Sequence, residues 1–297
     1  MPMQEVLELL HRFVDDLNEP IVERLFAKIP QGKMLRSKLI LQIAPDERGV
    51  TLAAVVEMIH AASLLHDDVI DDASTRRGVA SINALFGNKT AIMLGDILYS
   101  KAFYELSAMP QPIPKIISSA VTKLSLGELL DVELAKSFNT DIDAYMDMID
   151  KKTAALIEAS AQAAAHLAGL DAQKYALYGK NLGLAFQIVD DILDITQDER
   201  TLGKPTMNDL REGKTTLPFI YLHQSCDENE REKLLGLFKK ELTLDERAWL
   251  MERFESSGAL EKAKKKARAL GEEALEALGS GDGKLRSIMT SLIDRTY

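Results

Sequence analysis

Two stretches of the chain carry acids at the same spacing. LLHDDVIDDASTRRG, residues 64–78, holds Asp67, Asp68 and Asp71 as D-D-x-x-D, and FQIVDDILDITQD repeats the pattern with Asp190, Asp191 and Asp194. With 23 aspartates in 297 residues, chance would supply roughly 0.14 copies, so a pair is informative where one copy would not be. Apolar residues surround both runs: Leu64, Leu65, Val69 and Ile70 the first, Ile188, Val189, Ile192 and Leu193 the second. An acidic run is ordinarily a solvated helix face. On a helix this apolar, carboxylates at i and i+4 share one side and repel unless cations lie between them. Hard divalent ions with oxygen ligands answer that need, and Mg2+ binds through one or two carboxylates together with substrate phosphates. The acids therefore point to a phosphorylated substrate bridged by metal.

A phosphate ester also needs cations. Arg76 and Arg77 follow the first motif, Lys152 and Thr153 open an alanine-rich segment, and Lys204 and Lys214 follow the second motif. Nearer the N-terminus, QGKMLRSKL places Lys33 and Arg36 three apart, and His60 lies seven residues before Asp67. Taken singly, each lysine or arginine reads as a surface charge, and His60 as a core histidine. As a set they form the expected counterpart of the acids.

Helices must position these groups. All nine prolines lie at positions 2, 20, 30, 45, 110, 112, 114, 205 and 218, and the stretches between show helical periodicity with little β-branched alternation. The pattern predicts helices over 56–72, 90–109, 114–136, 141–169 and 172–197, and several amphipathic helices in the C-terminal third. Residues 196–218 read as the longest candidate functional loop. TAALIEASAQAAAHLAGL (153–170) is nearly uncharged, as befits a closely packed central helix. No linker, repeat or low-complexity tract divides the chain, so the expectation is one all-α domain over 1–297.

The totals narrow the partners. A net charge of −10 argues against nucleic acid, which needs a basic face, and against a polybasic membrane anchor. Cys226 is the only cysteine, so no disulfide forms within the chain and no thiolate cluster holds zinc. The N-terminal stretch lacks a signal-peptide pattern, and no run approaches the roughly 18 apolar residues of a membrane span. The expectation is a cytoplasmic protein without a transmembrane segment.

GKMLR, HAASLLHDDVIDDASTRRG, GD (95–96), KTA (152–154), FQIVDDILD and GKPTMNDLREGKTTLP follow one another from about residue 30 to 220. In that order they resemble the motifs of the trans-isoprenyl diphosphate synthases. The resemblance implies an all-α, single-domain helical bundle around a deep central cavity. It also implies a Mg2+-dependent prenyltransferase that condenses isopentenyl diphosphate head to tail with an allylic diphosphate such as farnesyl diphosphate. Asp67, Asp71 and Asp190 would bind three Mg2+ ions per site, with Asp68, Asp191 and Asp194 lining or supporting it. Arg76, Lys152, Gln187, Lys204 and Lys214 would contact the allylic diphosphate, and Lys33, Arg36, His60 and Arg77 the isopentenyl diphosphate. Thr153 would lie near the reacting carbons. The family usually forms homodimers, and release of an apolar product implies transient membrane contact. Two departures, Gln31 where many members have glycine and Ser37 where many have proline, bear on the geometry of the Lys33–Arg36 loop.

Product length follows from what lines the interior before Asp67. In the family, a bulky aromatic at the fourth or fifth position before the first aspartate stops growth early. Here Ser63 and Ala62 stand there, with Ala61 beside them, and nothing blocks. Together with the lack of a two-residue insertion in the first motif, this resembles the long-chain members, whose octaprenyl-like products become quinone side chains. A short-chain farnesyl or geranylgeranyl synthase is the alternative. A class I terpene cyclase is disfavoured by DDILD and the Lys33/Arg36 pair, and a non-catalytic subunit by the full set of acids and cations. Met93, Phe103 and Tyr104 could plug a tunnel, but a plain core role is the expectation for each.

Overall fold

Prolines stand at the starts of the first two helices. In the computed structural model, which describes residues 2–196, 207–279 and 282–293, α1 runs Pro2–Asp15 and α2 Pro20–Phe26. Then come α3 (Leu35–Ile43), α4 (Glu47–Ile70), the strands β1 (Thr75–Arg76) and β2 (Val79–Ala80), α5 (Ile82–Phe86), α6 (Asn88–Ser107) and α7 (Ile113–Leu134). The predicted helix over 141–169 is one helical run with an interruption: α8 (Ile142–Ile149), a π-helical segment Asp150–Ala154, and α9 (Ala155–Ala168). After α10 (Ala172–Thr196) the described chain resumes with α11 (Asn208–Glu212) and α12 (Leu217–Ser225). It ends with α13 (Glu228–Leu235), α14 (Leu244–Ser257), α15 (Ala259–Leu278) and α16 (Gly283–Ile293). The all-α class is as expected, the two-stranded ladder β1–β2 apart.

Backbone proximity divides the chain into two compact units, residues 1–122 with 156–176 and residues 123–155 with 177–297. No linker marks the division because it falls inside helices and helical runs.

In the first unit α4 packs against α1, α3 and α6. Asp46 caps its start by accepting from the Gly49 backbone N–H at 3.1 Å, and Leu52 through Val56 are wholly buried. Contrary to the expectation that no run would suffice, α4 is long and apolar enough to cross a membrane, with a mean hydropathy of 1.4 over its 18-residue window. Most of that window, 61 %, is buried inside the protein, as an apolar helix enclosed by neighbours should be. The helix stops two residues earlier than predicted because Asp72 adopts φ +49°, a left-handed conformation that aspartate tolerates. Beyond it Thr75 pairs with Ala80 and Arg76 with Val79. Arg77 (φ +54°) and Gly78 (φ +77°) form the connection, as a type I′ hairpin requires.

Met93 and Tyr104 depart from their expected core role. They are 56 % and 70 % exposed on α6, whose inward positions are taken by Ala91, Leu94, Leu98 and Ala102. Phe103 is half-buried and stacks on Tyr99 at 6.3 Å.

The second unit has its own apolar centre, in which Ile195, Leu210, Phe219, Leu222 and Phe254 meet. Phe219 and Phe254 pack edge to face with ring centres 5.1 Å apart, a favoured aromatic geometry. Capping boxes at Asp227/Glu230 and Thr243/Glu246 start α13 and α14, satisfying backbone N–H groups that a helix start leaves bare.

Candidate active site

The first motif occupies the last turn of α4. Asp71 caps the helix, its N–H donating to the Asp67 carbonyl at 2.9 Å, while Asp68 turns inward and is 3 % exposed. The hairpin aims Arg76 back at both neighbours. Its Nε donates to Asp68 Oδ1 at 2.6 Å and a terminal nitrogen to Asp67 Oδ2 at 2.8 Å. Burial alone would lower the Arg76 guanidinium, but the two carboxylates outweigh it and hold it above its ordinary value. Burial raises Asp68, against the pull of Arg76. Asn83 donates to the Asp68 backbone carbonyl at 3.1 Å, closing the turn.

Arg36, His60 and Arg77 come together in the same unit around Glu57. Glu57 accepts from the Ser37 hydroxyl at 2.7 Å and its backbone N–H at 3.2 Å, so serine in place of proline adds two donors to this carboxylate. Arg77 donates to the Pro30 carbonyl at 2.7 Å and lies flat over Gly32, where a Cβ would fall 2.4 Å from its guanidinium. Burial and the charge of Arg77 lower Arg36, with Glu57 opposing; burial and Arg76 lower Arg77. His60 is held well below its ordinary value by burial and by Arg36, Arg77 and Arg76, so it stands neutral beside three cations. The buried Nε of Arg36 has no acceptor. Crowded cations with an unfilled donor make a site that favours an anion. Lys33 is exposed at the near end of this loop.

Above the first motif, Ala62 is wholly buried and Ala61 and Ser63 are half-buried. The Ser63 hydroxyl is turned back onto the His60 carbonyl at 2.8 Å. Gly95 lets α6 close on α4, since a Cβ there would lie 2.4 Å from His66 Nε2, which sits 3.4 Å from Asp96.

In the second unit the other motif shows the same division of labour. Asp190 is half-buried, whereas Asp191 is 3 % exposed with both oxygens occupied. Tyr145 donates to Oδ2, and Gln187 Nε2 to Oδ1 at 2.9 Å. Burial pushes Asp191 up to about 7, against the pull of those two donors. Gln187 Oε1 accepts from the Thr153 hydroxyl at 2.8 Å. Asp194 is buried, its Oδ2 accepting from the Asp209 backbone N–H at 3.1 Å and its carbonyl from that of Met207 at 2.8 Å. The motif thus organises the backbone at the start of α11.

Lys152 and Thr153 ride on the π-helical segment, and π turns often occur where a helix must present side chains for function. Two glycines grip that segment: a Cβ on Gly127 of α7 would lie 2.2 Å from the Lys152 nitrogen, and one on Gly183 of α10 2.5 Å from Ala154 Cα. Lys152 Nζ pairs with Asp131 at 2.6 Å and Glu128 at 2.9 Å. Lys214 pairs with Glu212 at 3.0 Å. Lys204 lies outside the described residues.

Inside the first unit Arg76 thus meets Asp67 and Asp68, and Arg36 and Arg77 lie near Glu57; inside the second, Thr153 meets Gln187 and Gln187 meets Asp191. Sequence reasoning missed Glu57, Glu128, Asp131, Tyr145, Gly127 and Gly183. Of these, Glu128 and Asp131 carried a signal, acids three apart on a helix; the others had none. Among the described residues no group of three or more His, Cys, Asp and Glu side chains could close around a metal. The half-buried carboxylates Asp67, Asp71 and Asp190 are hard oxygen donors that fit an ion completed by substrate phosphate and water, as Mg2+ prefers.

Comparison with known proteins agrees with this chemistry. A family model described as polyprenyl synthetase matches residues 19–251. A short chain isoprenyl diphosphate synthase from Methanothermobacter thermautotrophicus is 35 % identical, the match covering 99 % of this chain and 100 % of the relative. The crystal structure of octaprenyl pyrophosphate synthase from Helicobacter pylori superposes with a TM-score of 0.95 at 42 % identity, over 99 % of each chain. That of a polyprenyl synthase from Caulobacter crescentus, complexed with calcium and isoprenyl diphosphate, gives 0.88 at 30 % identity. It covers 99 % of this chain and 94 % of its own. The chain belongs to the polyprenyl synthetase family.

Proposed function

We propose, from that membership, that the chain condenses isopentenyl diphosphate head to tail with an allylic diphosphate such as farnesyl diphosphate to give a long all-trans polyprenyl diphosphate. Octaprenyl-like length suits a quinone side chain. One observation carries the residue roles. In both D-D-x-x-D motifs the middle aspartate is buried against protein donors, while its neighbour Asp67 or Asp190 is half-buried. The outer carboxylates Asp67, Asp71 and Asp190 are then the ligands of three Mg2+ ions, and Asp68, Asp191 and Asp194 support them.

Bound Mg2+ supplies Lewis-acid stabilisation of the diphosphate leaving group. Arg76, Lys152, Gln187, Lys204 and Lys214 hold the same diphosphate, and the cations among them draw off charge as the allylic C–O bond breaks. Arg36 and Arg77, crowded and anion-seeking, hold isopentenyl diphosphate with Lys33, and neutral His60 adds a single N–H donor. Held so, the isopentenyl double bond attacks the allylic carbon at short range. A new C–C bond forms, and the proton lost passes to the departed diphosphate. Small residues at Ala61, Ala62 and Ser63 leave room for the growing chain. The 35 % identity to a short chain synthase favours shorter products as the second reading.

The same reading includes a homodimer, which the exposed Ile92, Met93 and Tyr104 of α6 support. It also includes transient membrane contact on product release and a cytoplasmic location, in keeping with the free, buried Cys226. Incubation with farnesyl diphosphate and labelled isopentenyl diphosphate tests the chemistry. Elongation should need Mg2+, stop on chelation and return on resupply. Asp67→Ala and Asp190→Ala should each lower kcat by about a thousandfold or more with the far-UV spectrum unchanged. Near-normal turnover in either variant would sink the metal assignment.

A further inference from the structure

Tyr145 meets the second motif with its side chain and has no task in the mechanism above. Its side chain is 1 % exposed on α8, 46 residues from the carboxylate it meets. A buried phenol needs a partner, and a backbone carbonyl would serve. Instead the hydroxyl donates to Asp191, beside the proposed metal ligand Asp190.

From there the direction of every bond is fixed. Both Asp191 oxygens accept, Oδ2 from Tyr145 and Oδ1 from the NH2 of Gln187 at 2.9 Å. Its carbonyl oxygen then faces Thr153 and must receive a proton, as it does at 2.8 Å. Thr153 consequently directs its O–H inward and offers only lone pairs on its other side. Three elements take part: α8, the π-helical segment and α10. Without the Tyr145 bond on Oδ2 the Asp191 carboxylate could turn about its Cβ–Cγ bond, the Gln187 amide would lose its fixed anchor at Oδ1, and Thr153 would be free to point its proton either way.

We infer that Tyr145 is a positioning residue for the condensation, acting through Asp191 and Gln187 to fix the direction of the Thr153 hydroxyl. The inference rests on the proposed function, in which Thr153 lies at the reacting carbons.

The test is a double-mutant cycle on the full chain with Tyr145→Phe, Thr153→Val and the pair, each checked for folding by circular dichroism. The expected result is a kcat lowered roughly 10–100-fold by Tyr145→Phe, with KM for both diphosphates within about twofold. The pair should be no slower than Thr153→Val alone, because the relay ends there. Should Tyr145→Phe not fold, Asp191→Asn keeps the shape but sets a donor where only acceptors stood, and it should show the same non-additivity. A kcat left at wild type, or losses that multiply in the double variant, would overturn the inference, since a purely structural tyrosine predicts either. Wild-type elongation is read in the same assay. Its absence would overturn the functional reading itself and, with it, any reacting carbon for Thr153 to face.

Discussion

Replacing Gly127 by alanine probes how tightly the fold holds Lys152. The added Cβ would lie 2.2 Å from the Lys152 nitrogen, 2.6 Å from its Cα and 2.7 Å from the Lys151 carbonyl carbon. All three are backbone atoms, so no side chain can swing aside. Ordinary contact begins at 3.4 Å, so α7 and the π-helical segment must part by about 1.2 Å locally, a strain of the size that costs about 1–3 kcal/mol when a packed core is overfilled. That retreat exceeds what the 2.6 and 2.9 Å ion pairs of Lys152 to Asp131 and Glu128 can follow, because both acids ride on α7 next to Gly127. A misplacement of about 1 Å near reacting groups can cost on the order of a hundredfold in rate. Steady-state kinetics with farnesyl and isopentenyl diphosphates should therefore show kcat/KM down by about that factor, with the thermal midpoint lowered by only a few degrees. Gly283→Ala, where nothing lies within 4 Å, should leave both unchanged. Wild-type kinetics and midpoint in Gly127→Ala would refute the claim that this glycine sets the position of Lys152.

Two further outcomes follow from the first unit. Ala62 is wholly buried, and if the product grows past it, Ala62→Tyr should give a folded enzyme with a shorter product by chromatographic sizing; an unchanged length would place the tunnel elsewhere. His60 is held well below 6.5 by burial and three arginines, so below about pH 6.5 the unfolded chain takes up a proton that the fold refuses. Stability should fall as pH drops from there, by at most about 1.4 kcal/mol per pH unit. His60→Gln should remove that slope in urea titrations between about pH 5 and 7; an equal slope in the variant would assign it to other groups.

Much of the scaffold is legible because proline and periodicity speak locally. Pro20 opens α2 and the cluster at 110–114 separates α6 from α7, as the sequence implies. The π-helical segment is not legible, since DKKTA has ordinary helical composition and the extra residue in its turn answers to Gly127 and Gly183 on other helices. The hairpin was half visible: Gly78 suits a positive φ, but Arg77 shares it (φ +54°) with its guanidinium anchored on Pro30. Within each acidic motif the sequence treats three aspartates alike. Helix pitch separates them, because i+1 turns about 100° away from i and carries Asp68 and Asp191 into the protein. The partners they find, Arg76 eight residues on and Tyr145 46 residues back, are products of tertiary packing. Met93 and Tyr104 look like core by composition, yet α6 turns its other face inward.

Product size tests the central claim most directly. The purified chain, incubated with farnesyl diphosphate, excess labelled isopentenyl diphosphate and Mg2+, should yield dephosphorylated products well beyond about twenty carbons, because small residues at Ala61, Ala62 and Ser63 set no early stop. Products ending at about fifteen or twenty carbons would contradict the long-chain assignment and place a floor close beneath the first aspartate motif.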